Sequence, residues 1–141
     1  MTPGRKTAGP ALCAALLTFV FSCTTTIRKF KPPGYAIAPD SLQAQINRIV
    51  SCQTIHLDGA EIITNGKSSS ELEIDIINGN GVPGDSSQMK TLGHAIAADV
   101  KKALQESDEY DTYRVLFVKV ESVEGMVKRT WRGNTFRSSE L

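Results

Sequence analysis

Near the C-terminus Lys128, Arg129, Arg132 and Arg137 interleave with Trp131 and Phe136. Guanidinium and ammonium groups pair with carboxylate or phosphate, and an aromatic ring beside them adds a flat stacking surface. Lys128, Arg129, Trp131 and Arg132 are therefore a candidate ligand surface for an anionic glycan or a lipid headgroup. The plainer expectation is an edge strand guarded by charge against aggregation, with Trp131 turned into the core.

A second constellation, Gly79-Asn80-Gly81-Val82-Pro83-Gly84, has the spacing of a phosphate-binding turn between a strand and a helix. Three features argue against a nucleotide there. Pro83 removes an amide, Asp85 brings a negative charge to the docking point, and the acid expected about 20 residues on would fall inside the following helix. The expectation is a plain connection into a helix cap. Asp75, Asn78, Asn80 and Asp85 near the same loop do not follow the spaced acid pattern of a calcium loop.

Glu71, Glu73 and Asp75 alternate, which on a strand sets them on one face about 7 Å apart in successive steps. Paired carboxylates serve acid–base chemistry, but a solvated strand face explains the same pattern. His56 and His94 are the only histidines, and no serine or cysteine sits in a recognisable nucleophile motif. Cys52 and His56 have a spacing that suits zinc, yet two further ligands are missing, so Cys52 is read as a small core residue. No catalytic residue, metal ligand or cofactor is expected, and the domain is read as non-enzymatic.

At the N-terminus Arg5 and Lys6 precede Ala11 to Ser22, a run without charge. Its length fits the about 7 to 15 apolar residues of a secretion signal and falls short of the about 20 a spanning helix needs. It ends in Val20-Phe21-Ser22-Cys23, which resembles the lipobox of bacterial lipoproteins: an aliphatic residue three before a cysteine, and a small one just before it. The resemblance implies cleavage after Ser22 and acylation of Cys23, and two or more acyl chains hold a protein stably on a membrane. Cys13 leaves with the signal, so Cys52 is the lone thiol of the domain and no internal disulfide is available to it.

Loss of residues 1–22 removes two basic groups and no acid, leaving the chain near −1 from an overall +1. That balance selects no partner, and the envelope compartment argues against nucleic acid. Three regions are expected: residues 1–22 as signal peptide, 23–39 as lipidated Cys23 and a flexible tether, and 40–141 as a single domain. The tether reading rests on Pro32, Pro33, Gly34 and Pro39, which disfavour helix and ladder strand alike.

Within the domain, Asp40 or Ser41 is expected to cap a short helix carrying Leu42, Ile46, Ile49 and Val50 to near Cys52. Thr54–Thr64 and Ser70–Asn78 read as a hairpin about Asn65-Gly66, with Leu72, Ile74 and Ile76 inward. Asp85 or Ser86 caps a long amphipathic helix to about Glu106, with Met89, Leu92, Ile96 and Val100 on its apolar stripe. Thr112–Glu121 and Met126–Arg137 make a second hairpin about Glu124-Gly125. The fold class is α+β: short helix, β-hairpin, long amphipathic helix, β-hairpin, giving a four-stranded, mainly antiparallel sheet covered by helix.

The functional expectation is a lipid-anchored protein of the bacterial cell envelope, on the outer membrane or a periplasmic face, touching another envelope protein. The alternative is a binding module for an anionic glycan or lipid through the C-terminal strand. No nucleotide and no nucleic acid is expected as a partner.

Overall fold

The computed structural model describes residues 24–141; residues 1–22 and Cys23 lie outside the described residues. The chain runs β1 (Thr26–Phe30), α1 (Pro39–Asn47), β2 (Thr54–Thr64), β3 (Lys67–Ile77), α2 (Ser86–Lys102), β4 (Thr112–Val123) and β5 (Met126–Arg137), then a 3₁₀ turn at Ser138–Glu140. The class is α+β, with one mixed sheet in the order β1-β2-β3-β4-β5. Both expected hairpins form. Asn65 and Gly66 both adopt positive φ, at 51° and 78°, as do Glu124 and Gly125, at 51° and 79°. Two-residue connections of this kind match the twist of the flanking strands.

The sheet departs from expectation in two ways. It has five strands rather than four, because Thr26–Phe30, within the expected tether, pairs antiparallel with β2 from Thr26↔Thr64 to Phe30↔Ala60. The prolines follow the ladder rather than interrupt it, and an edge strand needs partners on one side only. The rest of that segment is also bound. Ala36 N–H donates to Ala103 O at 2.8 Å, Gln105 N–H donates to Gly34 O at 3.0 Å, and Tyr35 and Ile37 pack on the core. Gly59 lets the chain pass: a Cβ there would collide with the Lys31 carbonyl, which itself accepts a 2.8 Å hydrogen bond from the Tyr110 hydroxyl.

The second departure is the junction between the hairpins. β3 and β4 pair in parallel, from Glu71↔Thr112 to Ile77↔Val118. A helix crossing one face returns the chain to its starting end, and the next strand then runs in the same direction. The junction is pinned at its start, where Asp111 Oδ2 accepts from Ser70 N–H at 2.7 Å and Ser70 Oγ at 3.0 Å.

The helices differ from the sequence reading at their ends. Ala38 is the N-cap of α1 and Pro39 opens its first turn, where a missing N–H costs nothing, so neither Asp40 nor Ser41 caps it. That helix stops at Asn47 rather than near Cys52. Asp85 caps α2 as expected, but α2 stops at Lys102 rather than Glu106, because residues beyond it pair with the Gly34–Ala36 segment.

Both helices lie on one face. Leu42 and Ile46 from α1 and Met89, Ile96 and Val100 from α2 pack on Leu72, Ile74, Ile76, Tyr113, Val115 and Phe117. The inward alternation of Leu72, Ile74 and Ile76 is thus as read, and no described element covers the opposite face.

Candidate functional site

Strand alternation divides the C-terminal candidate surface in two. Trp131 stands opposite Val118 and Arg129 opposite Val120, whereas Arg132 pairs with Phe117 and Lys128 with Glu121. Phe117 belongs to the core under the helices, so Arg132 and Lys128 stand on the helix side of the strand, and Arg129 and Trp131 on the uncovered side. All four are exposed. Strand alternation therefore divides Lys128, Arg129, Trp131 and Arg132 between the two sheet faces.

The structure corrects the expectation that Trp131 lies in the core, since Trp131 is 62% exposed. β4 and β5 run past the end of β3 at Ile77 as a two-stranded ribbon whose tip carries exposed Val123, Met126 and Val127. Beside Trp131 on the uncovered face, its cross-strand partner Val118 and nearby Leu116 are buried, at 7% and 9% exposed. The exposed ring thus adjoins buried apolar side chains, with Arg129 on the same strand face.

Beyond them the same face holds an ion-pair lattice across four strands. Arg28 meets Asp58 at 3.3 Å and Glu71 at 3.6 Å, and Arg114 meets Glu73 at 3.4 Å and Glu71 at 3.9 Å. The carboxylates read as a solvated face are half-buried. Burial pushes the Asp75 carboxyl above its usual range, against the pull of His56 and Arg129. Burial, helped by neighbouring Asp75, does the same to Glu73. Asp75 Oδ1 is buried without a hydrogen-bond partner.

A cleft of about 630 Å³ lies between the Asn78–Val82 loop and the β4–β5 ribbon, with Lys119, Thr130, Trp131 and Arg132 in its wall. Here the glycine loop behaves as a connection and cap. Asp85 Oδ1 accepts from Ser87 N–H at 3.0 Å and Gln88 N–H at 2.9 Å, occupying amides that would otherwise face an anion. Arg132 donates to the Pro83 and Gly84 carbonyls at 3.2 and 3.3 Å, so its guanidinium braces the loop.

The remaining candidates are dispersed. His94 Nε2 donates to the Glu140 carbonyl at 2.7 Å, with its ring edge-on to Phe136. His56 is exposed opposite Asp75 on the other face. Cys52 is half-buried against the core, and Asn47 Oδ1 accepts from its N–H at 3.0 Å. Among the described residues no three His, Cys, Asp or Glu side chains are grouped to hold a metal ion, and no helix is long and apolar enough to cross a membrane. Sequence reasoning missed Arg28, Arg114, Leu116 and Val118 as parts of the uncovered face. The period-two alternation of β5, applied to the basic residues, would have separated Arg129 from Arg132. Comparison with family models, with curated proteins and with solved structures finds no match to this chain.

Proposed function

We propose that this chain is a lipid-anchored protein of the bacterial envelope whose small domain is a non-enzymatic binding module. Its contact with another envelope component is made by Arg129 and Trp131 on the uncovered sheet face. The observation that carries this reading is the exposure of Trp131, 62%, beside buried Val118 and Leu116. A core tryptophan hides its ring; a stacking platform presents it. The apolar run ending at Cys23 supports the anchor. An anionic glycan or lipid is the ligand chemistry that a guanidinium beside an indole suits.

Two measurements test the reading. In a bacterial host the protein is expected to partition into detergent and label with palmitate, and Cys23→Ala is expected to abolish labelling; unchanged labelling removes the anchor. Trp131→Ala is expected to move stability by no more than about 0.5 kcal/mol, as for other surface changes. Binding to isolated cell wall or anionic vesicles is expected to fall at least tenfold. A loss of about 3 kcal/mol or more, the scale of a truncated core aromatic, would remove the platform.

A further inference from the structure

Resting on the reading that β5 residues bind another envelope component, we infer that the free edge of β5 is the docking site and that its occupant is an extended acidic segment of a partner protein, added to the sheet as a further strand. β5 is the last strand of the sheet, so along one side its backbone N–H and C=O groups have no partner strand among the described residues. Its 12 residues make it the long edge of the sheet, against 5 in β1 at the other. Every residue from Met126 to Arg132 is exposed. A bare row of this length is a template for another extended chain. Main-chain hydrogen bonds supply affinity there, and alternate side chains supply specificity.

Charge selects the occupant. β5 holds Lys128, Arg129, Arg132 and Arg137 and no acid. None of these four enters an ion pair among the described residues. Lys128 lies opposite Glu121, but that carboxylate is held by Lys119 at 2.6 Å. Arg129 attracts Asp75 from two strands away without an ion pair. A second copy is a poor occupant: pairing β5 with itself sets these cations against one another, and pairing it with β1 sets them against Arg28 and Lys29. The division of the cations between two faces keeps a ligand lying on one face from meeting them all. It suits an added strand, whose own side chains alternate in the same way. On the uncovered face an acid opposite Arg129 would sit between apolar residues opposite Val127 and Trp131. On the helix side acids would stand opposite Lys128 and Arg132, whose guanidinium keeps its charge while bonded to the neutral Pro83 and Gly84 carbonyls.

Trp131 is the only tryptophan, so fluorescence of the full chain in neutral detergent reports on this strand alone. The probes are tryptophan-free peptides of about ten residues, the upper length of a common strand. One carries glutamates and valines in the stated pattern, made in both chain directions, and a second has lysine for every glutamate. Two more are the acidic peptide N-methylated at alternate amides, along one edge or along the other. The acidic peptide is expected to shift the Trp131 emission and to slow hydrogen exchange at alternate amides of Met126–Arg132, and the lysine peptide to do neither. One methylated form, and not the other, is expected to bind at least tenfold more weakly. Lys128→Glu with Arg129→Glu is expected to weaken the acidic peptide at least tenfold at an unchanged melting temperature. Equal binding by both methylated forms means that charge alone holds the peptide, and overturns the edge. No shift with the acidic peptide overturns the occupant. A shift with anionic vesicles or solubilised cell-wall glycan then leaves the β5 contact to another partner, and no shift with any of them removes that contact as well.

Discussion

Tyr110 and Tyr113 stand edge to face with ring centroids 6.2 Å apart, fully buried, and each hydroxyl donates to a carbonyl, of Lys31 and Ser107 respectively. Burial pushes the Tyr113 phenol up to about 12 and raises Tyr110 and the half-buried Tyr35 above their ordinary 10.0. The sign follows from which form the fold prefers. The neutral phenols are favoured in the folded state, so stability is intact below pH 10.0, the unfolded value, and is lost as pH rises toward about 12. Phenolate absorbance and loss of circular dichroism are expected to rise together in that window. Phenolate forming near pH 10 in a protein that keeps its ellipticity would contradict the burial argument. At this scale the sequence was readable for composition but not for direction. Lys128, Arg129, Trp131 and Arg132 are neighbours in the chain, yet whether Trp131 is covered depends on a layer of helices that reaches only the other face.

The elements were more legible, because each rests on a local signal. The Met126–Arg137 strand and the Thr54–Thr64 strand occupy the expected residues, and Asp85 caps α2 through its own carboxylate. The Asn65-Gly66 turn uses the two residues best suited to positive φ, while the Glu124-Gly125 turn places a glutamate at φ 51°. A residue with a Cβ is strained there, and asparagine tolerates the region far better than glutamate. Glu124→Asn is expected to raise stability by about 0.5–1 kcal/mol in urea unfolding with an unchanged slope. A loss would mean that Glu124 makes a contact outweighing its backbone strain. What local signals do not carry is pairing at a distance. β1 is a five-residue segment beside two prolines, and its partner β2 lies beyond a whole helix; the parallel match of β3 with β4 depends on where α2 delivers the chain.

For the molecule as a whole, the segment before residue 40 is structural. It supplies β1, the core contacts of Tyr35 and Ile37, and the carbonyl that satisfies buried Tyr110. A buried hydroxyl without a partner costs about 1–3 kcal/mol, and each apolar side chain lost adds about as much again. A chain beginning at residue 40 is therefore expected to be unfolded or to melt far below one beginning at residue 24, as read by circular dichroism. Equal melting would make the segment a dispensable tether after all. The parallel junction has a consequence for biogenesis. Ser70 and Asp111, which pin it, are 41 residues apart. The β1–β2–β3 meander thus emerges from synthesis before the strand that will cover it, leaving a long adhesive edge bare while the helix is still being made. Along that edge Glu71, Glu73 and Asp75 punctuate Leu72, Ile74 and Ile76, so two nascent chains that tried to zip together through β3 would set carboxylate against carboxylate. Glu71 and Glu73, which hold Arg28 and Arg114 in the finished fold, would thus set like charge against like charge between unfinished copies.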